Sequence, residues 1–383
     1  MMGEERFRRY LGAFSEEPPV SLRLHPQKAS RIVAPGAQPV PWCHGGYYMA
    51  QRPNFTFDPL LHAGCYYVQE AASMFLDEVL RQHLPDRPVA MLDMCAAPGG
   101  KSTLASSRLP EGSVLLANEP VRQRASILLE NITKWGSADT YVTCNYPRDY
   151  RKARMRFDVI LCDVPCSGEG MFRKDPQTIG EWSLQHVERL QQLQRDIVSD
   201  AWQCLADGGL LVYSTCTFNT RENEENVAWM LGHLDAEALH VETQAGWDIT
   251  GSLLEGFTAP VYRFIPGISR GEGLFMCVLR KGGTPKAAKI APPSAALHVL
   301  TPPFTLSDPA VPDVELSYQQ AIAYLRGETV TLPSDAPRGI VCTTFAGRRL
   351  GLAKNIGTRA NNHYPKEWRI RSTHVPDYAP IVE

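Results

Sequence analysis

The fold of this chain follows from one stretch, Val89-Ala-Met-Leu-Asp-Met-Cys-Ala-Ala-Pro-Gly-Gly-Lys-Ser-Thr103. It begins with an apolar run of strand length, which Pro98-Gly99-Gly100 interrupts, and a helix can begin at Lys101. Glycines let a ligand approach the backbone, and a helix start offers free N–H groups. The corner therefore predicts a nucleotide-type binding site. For the stretch taken alone, an ordinary strand-to-helix turn is the alternative.

Two common phosphate-binding motifs do not fit this corner. Gly100-Lys101-Ser102 matches the end of a P-loop, but that motif needs a glycine where this chain has Cys95. The dinucleotide pattern G-x-G-x-x-G is also absent. The predicted ligand is therefore neither ATP held by a P-loop nor a dinucleotide.

The composition is typical of a soluble globular protein. The 383 residues suffice for two or three domains, and 44% of them are apolar and 21% charged. A net charge of −2 excludes a global basic field, so any nucleic-acid surface must be local. We see no signal peptide and no apolar run of bilayer length, so we expect a cytoplasmic protein without membrane contact. The ten cysteines lack the paired spacing of a zinc site, and we predict no metal.

From Val89 onward, strand-like runs alternate with helical segments. We predict strands at 89–94, 114–119, 140–144, 157–163 and 210–214, followed by a terminal hairpin at 260–265 and 273–280. The longest helix is expected from Leu184 to Leu205, with Gly208-Gly209 ending it. Repeated strand–helix units form mostly parallel sheets with helices on both faces. The predicted fold class is α/β, with a seven-stranded, mostly parallel sheet whose last strand is antiparallel.

Segments of different composition flank this region. We predict an N-terminal RNA-binding or cap segment at 1–68, a catalytic domain at 69–282, a Pro/Ala/Lys-rich linker at 283–303 and an RNA-binding tail domain at 304–383. The tail interleaves cations with Tyr364 and Trp368, a pattern that suits RNA, although a solvated basic surface fits equally well. Its cations are Arg348, Arg349, Lys354, Arg359, Lys366, Arg369 and Arg371.

The polar groups of chemical interest follow the carboxyl ends of the predicted strands, where such sheets bind ligands. Glu119 ends the second strand, and an acid there suits ribose hydroxyls. Asp163 ends the fourth strand and leads to Cys166, while Cys216 follows the fifth. Because the fourth and fifth strands are neighbours in such sheets, both thiols should face one cleft beside Asp163.

A thiol, a carboxylate and a nucleotide-like cofactor together suit methylation of cytosine. A thiolate that adds to C6 makes C5 a nucleophile for the methyl group of a sulfonium. A carboxyl group that bonds N3 and the 4-amino edge assists the addition. Burial raises the pKa of a thiol, so Cys216 needs a polar or cationic neighbour, and Lys101 is the nearest candidate by motif position.

Three ordered motifs resemble the Sun/Fmu family of RNA cytosine-5 methyltransferases. They are Met91-Leu-Asp-Met-Cys-Ala-Ala-Pro-Gly-Gly-Lys-Ser102, Asp163-Val-Pro-Cys-Ser-Gly-Glu-Gly-Met-Phe-Arg-Lys-Asp-Pro176 and Leu211-Val-Tyr-Ser-Thr-Cys-Thr217. The extension after Gly168 and the tail segment Asn362-His-Tyr-Pro-Lys366 resemble most the bacterial RsmF (YebU) branch of that family. So do Arg52-Pro-Asn-Phe55 and Gly64-Cys-Tyr-Tyr-Val-Gln-Glu70.

The resemblance implies a class I, Rossmann-like methyltransferase that uses S-adenosylmethionine as its cofactor and carries a PUA-like tail. It also implies a monomer whose partner is RNA, with 16S ribosomal RNA as the expected substrate. It implies Cys216 as nucleophile, Cys166 as the thiol that assists product release, and Asp163 between cofactor and cytosine. The implied cofactor contacts are Cys95, Ala96, Ala97, Pro98, Gly99, Gly100, Lys101, Glu119, Arg124 and Asp163. The family usually has an acid after the third strand; here Asn145 stands in that segment, where it could donate and accept hydrogen bonds to the cofactor.

Three other functions are compatible with parts of the sequence. A DNA cytosine methyltransferase would use Cys166 itself as nucleophile, but Thr215-Cys216 and the tail argue against it. A transfer RNA methyltransferase shares the catalytic motifs. A non-catalytic RNA-binding factor for ribosome assembly would not need intact Cys166, Cys216, Asp163 and Lys101.

Overall fold

The first seventy residues fold around a small antiparallel sheet. In the computed structural model, which describes residues 2–306, 308–372 and 374–383, its strand order is β2-β3-β1-β4. The strands are β1 (Val20–Leu24), β2 (Gln38–Pro39), β3 (Gly46–Met49) and β4 (Tyr66–Val68). The helices of this part are α1 (Glu4–Gly12) and α2 (Pro59–His62), and α3 (Leu76–His83) leads into the next domain.

Eight strands form the central sheet, one more than the sequence predicts. They are β5 (Ala90–Asp93), β6 (Val114–Asn118), β7 (Thr140–Thr143), β8 (Phe157–Asp163), β9 (Leu205–Thr215), β10 (Ala236–Leu239), β11 (Tyr262–Phe264) and β12 (Leu274–Lys281). Their order is β10-β12-β9-β8-β5-β6-β7, with β11 paired to β12 beside this path. Neighbours from β7 to β9 are parallel, and β12 is antiparallel to β9, as predicted.

Helices cover both faces of this sheet. They are α4 (Gly100–Arg108), α5 (Arg122–Trp135), α6 (Pro147–Lys152), α7 (Gln177–Glu181), α8 (Leu184–Cys204) and α9 (Glu224–His233). Two hydrophobic clusters, one on each face, bury the side chains that alternate along the strands. The α/β class and the mostly parallel sheet are therefore confirmed. No helix within the described residues is long and apolar enough to cross a bilayer.

Two local predictions in this domain are wrong. The unpredicted strand β10 reads Ala-Glu-Ala-Leu, residue types with weak strand preference, and it forms only because the edge of β12 accepts it. Gly208-Gly209 does not end α8, because the helix stops at Cys204 and the glycines lie inside β9. A Cβ on Gly209 would approach the Asp158 carbonyl oxygen to 2.9 Å where the register of β8 and β9 shifts, so close strand packing requires the glycine.

The tail folds as a second small sheet of order β13-β14-β15-β16 with one helix. These elements are β13 (Asp313–Glu315), α10 (Tyr318–Leu325), β14 (Gly339–Phe345), β15 (Arg348–Asn355) and β16 (Ala360–Asn362). Tyr364 and Trp368 are buried in its core, where Tyr364 packs on Tyr324 and Trp368 on Phe304. Their rings close the core of the small sheet, so these two aromatic residues are not part of a surface that contacts RNA.

The N-terminal sheet and the tail share one hydrophobic core. Leu22, Phe57 and Tyr66 belong to the same buried cluster as Tyr324 and Trp368. The two ends of the chain also pair, through the Ile32–Val382 bridge and an ion pair between Arg31 and Glu383. The two flanking segments therefore pack as one body against the central domain.

Residues 283–303 run along the central domain in contact with it. Val299 forms a bridge with Thr143 at the edge strand β7, and the Ala288 N–H donates to Asp158 Oδ1 at 2.9 Å. This segment thus ties the tail to the sheet through backbone contacts.

A buried ion pair ties α9 to β11. Arg263 Nη1 and Nη2 donate to the two carboxylate oxygens of Glu224, each at 2.8 Å, and neither side chain is exposed. We expect Glu224→Gln to lower the free energy of unfolding by about 3 kcal/mol, because a buried guanidinium loses its counter-charge. Urea denaturation followed by tryptophan fluorescence checks this.

The control for this change is Glu4→Gln, which removes an exposed pair with Arg8. Exposed ion pairs contribute less than about 1 kcal/mol to stability, so the control should unfold at nearly the same urea concentration as the wild type. Equal midpoints for the two variants would mean that the buried pair does not hold the hairpin.

Candidate active site

The cofactor corner is built by the end of β5 and the start of α4. Gly99 adopts φ +117°, a left-handed conformation that favours glycine, and the turn points the free N–H groups of α4 toward the sheet edge. Asp93 is fully buried below the turn and accepts a hydrogen bond from Ser102 Oγ at 2.6 Å. Burial raises the pKa of Asp93 to about 7, and its Oδ1 has no partner among the described residues.

Glu119 offers the corner a second open acceptor. Its side chain is 1% exposed, and Oε1 accepts the Val121 N–H at 2.9 Å. Its Oε2 lies 3.3 Å from Arg124 Nη1, yet it has no partner with hydrogen-bond geometry among the described residues. Arg124 also donates to the Ala97 carbonyl oxygen at 3.2 Å. A buried, unsatisfied carboxylate oxygen beside the glycine turn fits the ribose hydroxyls of a nucleoside cofactor.

Asn145 is engaged elsewhere in this structure. Its Nδ2 donates to the His298 carbonyl oxygen at 3.0 Å, and its Oδ1 accepts the His298 N–H at 2.9 Å. The side chain therefore anchors the segment after the catalytic domain, which the sequence did not indicate. The buried Asn118 joins the Asn145 backbone to the cofactor corner. Its Nδ2 donates both to the Asn145 carbonyl oxygen and to the Met94 carbonyl oxygen. An adenine contact of Asn145 stays a prediction, without support from this geometry.

Asp163 joins three elements at the sheet edge. Its Oδ2 accepts from Lys101 Nζ on α4 at 2.8 Å, and its Oδ1 accepts from Ser214 Oγ on β9 at 2.7 Å. Burial alone would lower the pKa of Lys101, but the Asp163 carboxylate outweighs it, so the pKa is raised and the ammonium persists. The structure thus brings Asp163 and Lys101 together, and it adds Ser214, a contact that sequence reasoning missed.

The two thiols meet, as the strand order predicts. Cys166 Sγ and Cys216 Sγ are 3.3 Å apart, and both residues are partly exposed. The hydrogen bond that the Cys166 thiol donates lowers the pKa of Cys216 against the effect of burial, with Lys101 as a weaker contributor. The same bond, with burial, raises the pKa of Cys166. That Lys101 stabilises a Cys216 thiolate stays a prediction, and the geometry adds Cys166 as a second polar neighbour of Cys216.

Glu222 holds the loop that carries Cys166. Its buried carboxylate accepts from the Ser167 N–H at 3.0 Å, from Gln194 Nε2 at 2.6 Å and from Asn219 Nδ2 at 2.8 Å. Sequence reasoning missed this residue, because an acid just before a helix is common and two of these three partners, Gln194 and Ser167, lie 28 and 55 positions away.

The N-terminal sheet also reaches the cofactor corner. The buried Arg23 donates to Thr103 Oγ1 at 2.7 Å and to Gln69 Oε1 at 2.9 Å, and its guanidinium lies 4.5 Å over the Trp135 ring. Burial lowers the pKa of Arg23 to about 10. No sequence motif points to Arg23. Gln69 Nε2 has no hydrogen-bond partner among the described residues and lies beside Gly100, at the edge of the cofactor corner.

A Rossmann-like sheet with a glycine turn, an open ribose acceptor and a polar cleft at its carboxyl edge defines a class I methyltransferase. The comparisons agree with this class. The description "16S rRNA methyltransferase RsmB/F" matches residues 79–280, "N-terminal domain of 16S rRNA methyltransferase RsmF" matches 1–71, and "Methyltransferase RsmF PUA domain" matches 311–370. The chain belongs to the 16S rRNA methyltransferase RsmB/F family, and its cofactor is S-adenosylmethionine.

Named relatives extend over most of the chain. The ribosomal RNA small subunit methyltransferase F of Salmonella heidelberg (strain SL476) is 30% identical, with 91% of this chain and 89% of the relative aligned. That of Pectobacterium atrosepticum is 35% identical, and the alignment covers 64% of this chain and about half, 51%, of the relative. The predicted resemblance is confirmed.

Solved structures share the fold. A methyltransferase homologue from Pyrococcus horikoshii has a TM-score of 0.62 at 27% identity, covering 72% of this chain and 91% of that one. The structure of NSun6 from Pyrococcus horikoshii with SFG has a TM-score of 0.61 at 21% identity, covering 74% and 96%. The latter likeness is evidence for the fold alone.

Glu119 gives the most direct test of the cofactor corner. We expect Glu119→Ala to weaken S-adenosylmethionine binding by roughly 1–3 kcal/mol, because the ribose hydroxyls lose a buried acceptor. Titration calorimetry measures this, with Glu111→Ala, an exposed acid in the loop before β6, as the control that should bind normally. Unchanged affinity in Glu119→Ala would place the ribose elsewhere.

Proposed function

We propose that this protein methylates C5 of a cytosine in RNA, with Cys216 as the nucleophile. The observation that carries the proposal is the contact of the Cys166 and Cys216 thiols beside the Asp163–Lys101 pair, at the sheet edge where the cofactor corner lies. A thiolate that a second thiol stabilises suits addition to an electron-poor pyrimidine carbon.

The residues present support each step of this reaction. The Cys216 thiolate forms a bond to C6, and the Asp163 carboxyl group supplies the proton or hydrogen bond at N3 and the 4-amino edge, so that the C5–C6 double bond opens and C5 becomes an enamine carbon. S-adenosylmethionine, when bound, would supply the electrophilic methyl group, with its sulfonium leaving as a thioether. Base removal of the C5 proton then lets the bond from C6 to Cys216 break and restores the thiolate. Once Cys216 is bonded to C6, Cys166 has lost its thiolate partner and lies next to the carbon–sulfur bond that must break.

The substrate we propose is 16S ribosomal RNA. The printed names of the relatives, ribosomal RNA small subunit methyltransferase F, support this choice, as does the match of the tail to a PUA domain. Exposed cations on the tail, among them Lys354, Arg359, Lys366 and Arg371, supply phosphate contacts. Arg349 contributes none, since it donates to three backbone carbonyls and pairs with Asp313.

We further propose that the enzyme acts in the cytoplasm, where ribosomal RNA is, and as a monomer, since one chain carries both thiols and the cofactor corner. Incubation with labelled cofactor and separate RNA and DNA pools tests the activity, and bisulfite sequencing of total RNA from a strain without the gene locates the cytosine. Labelled DNA would favour a DNA methyltransferase. Labelled transfer RNA would mean that transfer RNA is the substrate, and the absence of label would favour a non-catalytic assembly factor.

The roles of the two thiols are separable by substitution. We expect Cys216→Ala to abolish methyl transfer and any covalent adduct with RNA, since the bond to C6 is not formed. Cys166→Ala should still add and methylate but release slowly, so that a covalent protein–RNA complex accumulates. Denaturing gels with labelled RNA detect this complex.

The double variant is the control, because it should lose the complex that Cys166→Ala accumulates. If Cys216→Ala forms an adduct and Cys166→Ala does not, the two roles are reversed.

The pKa of Cys216 gives a test that needs no RNA. Because the Cys166 thiol lowers this pKa, Cys216 should be alkylated by iodoacetamide below the ordinary thiol pH range. In Cys166→Ala the hydrogen bond is lost, the pKa rises, and the acid limb of the alkylation rate should move to higher pH. Mass spectrometry of the labelled peptide follows Cys216 alone.

Cys144→Ala, a partly exposed cysteine whose thiol donates to the Pro120 carbonyl oxygen, is the matched control and should leave the limb in place. If the acid limb does not move in Cys166→Ala, Lys101 rather than Cys166 lowers the pKa of Cys216.

A further inference from the structure

A basic cavity of about 710 Å³ lies at the amino-terminal edge of the central sheet. It is bounded by the chain just before β8, the start of β9, the end of β12 and the segment that follows β12. Small apolar side chains form much of its wall. Five cations and one carboxylate complete the lining, namely Arg154, Arg156, Lys281, Lys286, Lys289 and Asp207.

Most of this positive charge is uncompensated. Arg154, Arg156, Lys286 and Lys289 are exposed, and none has an ion-pair partner among the described residues. Lys281 donates to the Trp202 and Leu205 carbonyl oxygens at 3.1 and 2.9 Å, where it closes the end of α8. Burial lowers the pKa of Lys281, the Asp207 carboxylate raises it, and Arg156 lowers it again.

The lining favours phosphates over other anionic partners. No aromatic side chain lines the cavity within the described part of the chain, so nothing there stacks a base. Alanine walls give no pocket for the apolar anchor of a peptide, and a concave surface does not fit a flat bilayer. In a chain of net charge −2, this concentration of cations is local, as a nucleic-acid contact requires.

The cavity and the thiols lie at opposite edges of the sheet. β8 runs seven residues from one edge to the other, which separates them by about 20 Å. The nucleotides that flank a cytosine at Cys216 cannot also fill the cavity. An occupant of both places must pass around the side of the domain, as a large folded RNA with several helices does.

We infer that this cavity is a second RNA-binding site, which holds the phosphodiester backbone of a helix remote from the target cytosine. The inference rests on the proposed RNA methylation and adds to it a second contact region, remote from the target cytosine, on the same RNA. Contacts of this kind position a substrate without reading its sequence.

The test compares two variants on two RNAs. R154Q/R156Q/K286Q/K289Q removes the four exposed cations, and R154K/R156K/K286R/K289R keeps them. The RNAs are full-length 16S ribosomal RNA and a short stem-loop around the cytosine that bisulfite sequencing identifies. Filter binding over a salt series gives affinity and its salt dependence, and calorimetry with S-adenosylmethionine checks the fold.

We expect the neutral variant to bind the long RNA roughly tenfold or more weakly near 0.1 M salt, with a log–log salt slope reduced by up to about 3. The charge-conserving variant should bind like the wild type. Methylation of the stem-loop and affinity for the cofactor should not change in either variant. Both take place at the carboxyl edge of the sheet, away from the cavity.

Two results overturn the inference. If the neutral variant binds the long RNA with full affinity, the cavity does not hold that RNA. This conclusion applies whether or not the variant loses binding to another polyanion. Equal weakening on both RNAs would mean that these charges act on the target segment rather than on a remote helix. A wild type that methylates no RNA would instead overturn the proposed function, which distinguishes the two failures.

Discussion

The site depends on the carboxylate of Asp163. One oxygen accepts from Lys101 on α4 and the other from Ser214 on β9, so a single side chain joins the cofactor corner to the strand that leads to Cys216. Asp163 also ends β8, and Cys166 follows three residues later. The relative positions of the glycine turn, the carboxylate and both thiols therefore follow from one group of partly buried contacts at the edge of a parallel sheet.

The flanking parts of the chain support this centre from outside. Because the N-terminal sheet and the tail share a hydrophobic core, removing the tail would expose Leu22 and Tyr66 and unsettle the N-terminal part as well. Arg23 then carries that support to the cofactor corner, through its contacts with Thr103 and Gln69. The flanking body is thus in direct contact with the helix that follows the glycine turn.

Much of the centre was predictable because its information is local. Apolar runs, glycine turns and helix patterns mark β5 to β9, and the parallel arrangement follows from their alternation. Ligand-binding residues follow the strand ends in such sheets, so the sequence also predicts that Glu119, Asp163, Cys166 and Cys216 lie at one edge of the sheet. Predictions failed where local signals were weak or shared, as with β10, and at Gly208-Gly209, which permits close strand packing instead of ending a helix.

The sequence by itself determined the class of fold, the edge of the sheet that carries the chemistry, and the pairing of two thiols with a carboxylate. These depend on periodicity along the chain and on the order of motifs. Only the tertiary structure decided that Ser214 bonds Asp163, that Asn145 pairs with His298, and that Tyr364 and Trp368 are buried. The tertiary structure also brings the cations of the basic cavity together at the amino-terminal edge of the central sheet. Each of these outcomes joins residues far apart in sequence, and the distances and burial that set hydrogen bonding and charge exist only once the chain is packed.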